Sequence, residues 1–225
     1  MKYLLDTANL ADIRRFYDIF PIAGVTSNPS IVKREGNVDF FAHMKEIRSI
    51  IGPEKALHIQ VTALDTEGML KDADTILEKV DPDVYVKVPV TIEGIKAIRL
   101  MKQNGIRVTG TVVYSKQQGF LAMEAGADFI APYFNRMENL GIDPDDVIAS
   151  LAEMIALYDY PTQILAASFK NAGQVDRAFL AGAQTATMDP SILEGILAQP
   201  HITGAVDAFD ADWKSIHGNT LICDL

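Results

Sequence analysis

Eight short apolar segments recur along the 225-residue chain, and amphipathic segments separate them. The apolar ones read YLLDTA, IAGVTSN, ALHIQVTA, VYVKVPV, RVTGTVVYS, FIAPYFN, TQILAASF and TATMD. Short runs of this kind, rich in β-branched residues, are what strands of a parallel sheet covered on both faces look like. Between them, TEGMLKDADTILEKV, IEGIKAIRLMKQNG, SKQQGFLAMEAG and DPDDVIASLAEMIALY have helical periodicity, and several close on a glycine where a C-cap needs one. Eight β/α units with no Ser/Gly-rich linker, low-complexity tract or short-period repeat predict a closed (β/α)8 TIM barrel over residues 1–225 as one domain. A doubly wound open sheet is the alternative. After the eighth helix, PSILEGILAQ, residues 204–218 place Ala205, Phe209, Trp213 and Ile216 at helical spacing. This additional C-terminal helix either covers the barrel base or docks on a neighbouring subunit.

A lysine interrupts the fourth strand. Side chains alternate across a strand, so Val84, Val86, Val88 and Val90 point one way and Tyr85, Lys87 and Pro89 the other. A lone strand lysine ordinarily snorkels to water from an edge. The other strands argue differently, because in each of them one parity is apolar and the other turns polar toward the C-terminal end. His58, Gln60 and Thr62 oppose Ile59 and Val61; Thr26 pairs with Asn28 and Thr109 with Thr111. Ala131 pairs with Tyr133, Ala166 pairs with Ser168 and Lys170, and the first strand ends at Asp6. Catalytic groups of barrels gather at that end, which predicts a polar ring with Lys87 inside it. Desolvation disfavours the ammonium form, so such a lysine presents a neutral amine suited to Schiff-base chemistry on a ketone or aldehyde. Asp6 can move protons, and Tyr133 can donate or accept through its hydroxyl.

Other chemistries find little support. A formal net charge of -10 argues against nucleic acid or an anionic membrane as partner, and an anionic substrate would need local cations. Arg136 directly after the sixth strand, with Ser168 and Lys170 ending the seventh, could supply them as a phosphate clamp; the plainer reading is surface charge and a capping serine. Cys223 is the only cysteine, which excludes an intrachain disulfide and fits a reducing cytoplasm. Lys2 and Asp6 interrupt any signal-peptide core, and no apolar run reaches membrane-span length. The histidines at 43, 58, 201 and 217 show no ligand spacing, so no metal is expected, and the nucleotide and dinucleotide motifs are absent.

On these residues the chain resembles the small transaldolase family, specifically its fructose-6-phosphate aldolase branch. The resemblance lies in LLDTAN at 4–9, GVTSNPSIV at 24–32, KVPVTIEG at 87–94, APYFNR at 131–136 and LAASFK at 165–170. It implies a Schiff-base lysine at Lys87, a proton-transfer carboxylate at Asp6, and Thr26 and Asn28 against substrate hydroxyls. Gln60, Thr111 and Tyr133 would hold and use the catalytic water, and Arg136 and Ser168 would bind phosphate. The expected substrate contacts are then Thr26, Asn28, Thr109, Ala131, Arg136, Ser168 and Lys170. Sugar phosphate and dihydroxyacetone are the implied small molecules, with no cofactor, in a homo-oligomer of pentameric rings, one or two stacked. Transaldolases carry glutamate where this chain has Gln60 and phenylalanine where it has Tyr133, so both residues point to the aldolase. Thr109 fits neither branch: transaldolases tend to have asparagine there, and the aldolases an aliphatic residue. A transaldolase, and more remotely a silent sugar-phosphate-binding barrel, are the rival readings.

Overall fold

Each apolar segment forms one short strand in the computed structural model, which describes residues 1–225. These are β1 (Lys2–Asp6), β2 (Ile22–Thr26), β3 (Ala56–Gln60), β4 (Tyr85–Pro89), β5 (Val108–Val113), β6 (Phe129–Pro132), β7 (Gln163–Ala166) and β8 (Thr185–Met188). All pair in parallel in chain order, and β8 closes on β1, so the sheet is a closed barrel. The doubly wound alternative is thereby excluded. Around it lie α1 (Leu10–Ile19), α2 (Pro29–Arg34), α3 (Phe40–Ile51), α4 (Thr66–Lys79), α5 (Ile92–Gln103), α6 (Lys116–Glu124), α7 (Phe134–Asn139), α8 (Pro144–Tyr158), α9 (Ala172–Leu180), α10 (Pro190–Leu197) and α11 (Pro200–His217).

The sequence starts these helices by side-chain chemistry. Asn9, Asp39, Asp65, Thr91, Ser115 and Asn171 each accept a backbone N–H in the first turn of the helix that follows. Proline opens α2, α8, α10 and α11, where its fixed φ suits the turn and its missing N–H is not needed. The valines of β4 then pack outward: Val84, Val86 and Val88 are fully buried in the core between barrel and helices. Gly94 lets α5 sit hard against the end of that strand, since a Cβ there would lie 1.8 Å from the Pro89 carbonyl oxygen.

Inside the barrel the lining changes along the axis. At the N-terminal end Leu4, Phe129 and Leu165 form a small apolar cluster with Ala56 and Tyr85 against it. Above them the inward side chains turn polar.

Two strands depart from simple alternation. On β7 it is Leu165 that faces inward, while Ala166 belongs to the helix-side core. The predicted pairing of Ala166 with Ser168 and Lys170 on one face is therefore corrected. The strand ends at Ala166, and Ser168 takes a left-handed backbone, φ 64°. On β5 the register with β6 slips between Gly110 and Val113. The C-terminal helix is present but starts at Pro200, four residues before the expected boundary, and buries none of its residues on the chain's own barrel. No helix is long and apolar enough to cross a membrane.

Candidate active site

At the C-terminal end of the barrel a cavity of about 360 Å³ is lined by Asp6, Asn28, Lys87, Tyr133, Arg136, Ser168 and Lys170. Seven of the residues expected from the sequence are thus brought to one place from five strands or the segments that directly follow them.

Lys87 is 4% exposed, and its Nζ donates to the Ser27 carbonyl at 2.9 Å. Burial pushes its pKa down from the ordinary 10.5, and the Asp6 carboxyl works in the opposite direction. Burial likewise raises Asp6 above its ordinary 3.8, against the pull of Lys87 and a hydrogen bond from Thr26 Oγ1 at 2.7 Å. Both shifts favour the neutral forms, a free amine beside a carboxylic acid. Thr26 Oγ1 also lies 2.7 Å from Thr187 Oγ1. With the Thr26 proton directed to Asp6, Thr187 donates in that contact, and a file of hydroxyls from β8 through β2 orients the carboxyl on β1.

Tyr133 follows β6 and is 8% exposed, with its hydroxyl 2.9 Å from Thr111 Oγ1. Burial holds its pKa above 10.0, so it remains a phenol at neutral pH. The Arg136 guanidinium lies 4.8 Å over the Tyr133 ring and donates from Nη1 to the Tyr114 hydroxyl at 3.3 Å. Gln60 stands in register with Lys87, lines a neighbouring cavity of about 290 Å³ that shares Asn28, and has a buried Oε1 without a hydrogen-bond partner. A buried acceptor of that kind is open to a ligand donor or a water.

The remaining expected residues lie beneath the cavity. Thr26, Thr109, Thr111 and Ala131 are buried and do not line it. Thr109 has a different partner: His58 Nδ1, 2.9 Å from its hydroxyl, with both residues fully buried. His58 is on β3 and Thr109 on β5, so the imidazole spans the inner face of β4, stacked on Tyr85 at 4.8 Å and 16°. Lys87 is the next inward residue of β4 above Tyr85. The His58–Thr109 pair thus forms a bar across the barrel under the lysine, and burial keeps the imidazole neutral, its pKa well below its ordinary 6.5. Asn28 spends its Oδ1 on the Ser30 and Ile31 N–H groups that open α2, leaving its amide NH2 for the cavity.

Sequence reasoning missed Arg34, Thr187 and Asp189, which also line the cavity; Arg34 Nη1 and Asp189 Oδ2 are 4.0 Å apart across its mouth. For Thr187 a signal existed, since Thr185 and Thr187 alternate with Ala186 and Met188 as on the other strands. Arg34 and Asp189 offered none, being a helix end and an N-cap that only barrel closure brings together.

The arrangement, a buried amine beside a carboxyl and a phenol with cations at the rim, suits carbonyl chemistry on an anionic substrate. Comparison with known proteins agrees. The chain matches the family described as Transaldolase/Fructose-6-phosphate aldolase over residues 3–220. It is 47% identical to a probable fructose-6-phosphate aldolase of Streptococcus pneumoniae over 222 residues, 99% of this chain and 100% of the relative. It is 35% identical to a probable transaldolase of Agathobacter rectalis over 219 residues, 97% of this chain and 100% of the relative. By the family match over almost its full length and by these two relatives, the chain belongs to the transaldolase/fructose-6-phosphate aldolase family.

Proposed function

We propose that the protein is a Schiff-base aldolase that reversibly cleaves fructose 6-phosphate to dihydroxyacetone and glyceraldehyde 3-phosphate. The observation that carries this reading is Lys87: a deeply buried amine, opening into a cavity that also holds Asp6, Tyr133 and the cations Arg136 and Lys170. A silent binding barrel would have no use for a lysine whose burial costs free energy.

In the proposed reaction the neutral Lys87 amine adds to the C2 ketone, and the Asp6 carboxylic acid gives its proton to the departing hydroxyl, so that loss of water leaves an iminium beside an Asp6 carboxylate. Asp6 takes the C4 hydroxyl proton, the C3–C4 bond breaks, and its electron pair enters the iminium to give an enamine as glyceraldehyde 3-phosphate departs. A proton then returns to C3, and water hydrolyses the new iminium, restoring Lys87 and releasing dihydroxyacetone. The water lost in the first step is regained in the last. Thr26 and Asn28 serve substrate hydroxyls, with Thr26 acting through Asp6, and Arg136, Ser168 and Lys170 hold the phosphate. Thr109 and Ala131 shape the floor below the donor. The reading calls for no metal or organic cofactor. It places the enzyme in the cytoplasm as a homo-oligomer, pentamer or decamer, with α11 on a neighbouring copy.

The second reading, transfer of the three-carbon unit to erythrose 4-phosphate, is favoured by the 35% identity to a probable transaldolase. Tyr133 and Gln60 argue for the aldolase. A phenol bonded to Thr111, beside an amide with an unpartnered oxygen, is equipped to hold a water and return a proton to the enamine. Tyr133→Phe, alone or with Gln60→Glu, is expected to lower fructose 6-phosphate cleavage and raise transfer to erythrose 4-phosphate, the hydrolytic step losing about 10²-fold or more. Both activities are measured on the same preparations. Wild-type transfer faster than cleavage, or a parallel fall in both, would make the transaldolase the right reading.

A further inference from the structure

Val112 is the only β-branched residue of the chain with a left-handed backbone, φ 63°, a conformation in which such residues are strained. It sits immediately after Thr111, in a β-bulge. Pairing with β6 runs Gly110 to Ile130 and resumes only at Val113 to Pro132, so β5 has one residue more than its neighbour. The extra residue reverses the alternation beyond it. Strict alternation would turn Val113 inward with Thr109 and Thr111, and Tyr114 outward. Instead Val113 is fully buried in the helix-side core. Tyr114 is delivered to the site, edge-on to Tyr133 at 5.7 Å and 72°, and its hydroxyl accepts from Arg136.

One side chain ties this distortion down. Gln118, in the first turn of α6, donates from Nε2 to the carbonyls of Val90 at 3.1 Å and Val112 at 3.2 Å, and its Oε1 accepts from Tyr114 N–H at 2.9 Å. Val90 follows the strand that carries Lys87. Three residues after the Ser115 N-cap, an ordinary capping box would accept glutamate as readily as glutamine. Here two carbonyl oxygens need donors, which a carboxylate does not have.

We propose that Gln118 is a positioning residue for the reaction: it clamps the strained bulge that keeps Thr111 on the Tyr133 hydroxyl and aims Tyr114 at Arg136, so that Tyr114 is a second-rank determinant of preference for phosphorylated aldehydes. The inference rests on the function proposed above and adds two residues to it. Gln118→Glu sets a carboxylate against the two carbonyls. Tyr114→Phe keeps the bulge and the ring and removes only the hydroxyl that Arg136 uses.

The experiment measures three things for wild type and both variants. These are borohydride trapping with dihydroxyacetone, deuterium exchange into dihydroxyacetone, and KM for glyceraldehyde 3-phosphate against unphosphorylated glyceraldehyde. Gln118→Glu is expected to trap Lys87 at the wild-type rate, to slow deuterium exchange about tenfold, and to raise the KM for the phosphorylated aldehyde relative to the other about tenfold. Tyr114→Phe is expected to raise the same KM ratio and leave exchange unchanged. A general loss of packing would instead lower trapping along with everything else and move both KM values together, and that result overturns the proposal. So does a Gln118→Glu enzyme indistinguishable from wild type. If Gln118→Glu does not fold, Tyr114→Phe decides, and an unaltered KM ratio sinks the clamp. Failure of the wild type itself to form a Lys87 adduct would remove the function on which the clamp rests.

Discussion

Lys87 poses a problem of charge, whatever chemistry it does. Its folded pKa lies below the ordinary 10.5 because burial penalises the ammonium form. Between the folded and unfolded values the unfolded chain binds more protons than the native one. Stability therefore rises as pH rises toward 10.5, and at neutral pH the buried lysine opposes folding. Lys87→Met is accordingly expected to be inactive yet to melt at a higher temperature than wild type at pH 7, with the gap closing as pH is raised toward 10.5. Calorimetry across that range checks it, and a variant less stable than wild type at pH 7 would mean that the amine is not strained by its surroundings. This residue and Asp6, Thr26, Thr111 and Tyr133 were legible in the sequence, because each stands on the inward parity of its strand. Gln118 was not, since its bonds run to three backbone groups that only the folded barrel assembles. Thr109 was visible as an oddity, and its reason became apparent only with its fully buried partner His58.

At the scale of elements, all eight strands and most helices could be read from apolar runs, caps and glycines, because β/α units repeat one local pattern. The departures come where backbone geometry overrides pattern. The bulge at Val112 and the turn at Ser168 each need a left-handed residue that no glycine announces. The short helices α2 and α7, six residues each, are too brief for periodicity to show. The C-terminal helix was visible, but its packing was not. It buries nothing on its own barrel, leaving Val206 59%, Phe209 72% and Ile216 75% exposed. A helix with an apolar stripe is stabilised by what covers that stripe, and here a second copy of the chain is the proposed cover. Phe209→Glu is expected to lower the solution mass measured by light scattering without changing the circular dichroism of the barrel. An unaltered mass would refute docking through this face.

Over the whole molecule the charge and the polarity are both graded toward one end of the barrel. The chain is acidic, with a formal net charge of -10, yet Arg34, Arg136 and Lys170 converge on one cavity where Asp189 is the carboxylate set against them. Such a local excess of cations attracts an anionic substrate to that mouth. Along the axis below it the lining passes from Lys87 to the His58–Thr109 bar and then to the apolar cluster of Leu4, Phe129 and Leu165. The gradient leaves the Lys87 amine as the buried group that opens into the cavity, the nucleophile of the proposed reaction. The measurement that tests this most directly is borohydride reduction of the wild-type protein in the presence of dihydroxyacetone, followed by peptide mass mapping. The account predicts a single reduced three-carbon adduct on the peptide that contains Lys87; an adduct on any other residue, or none, would contradict it.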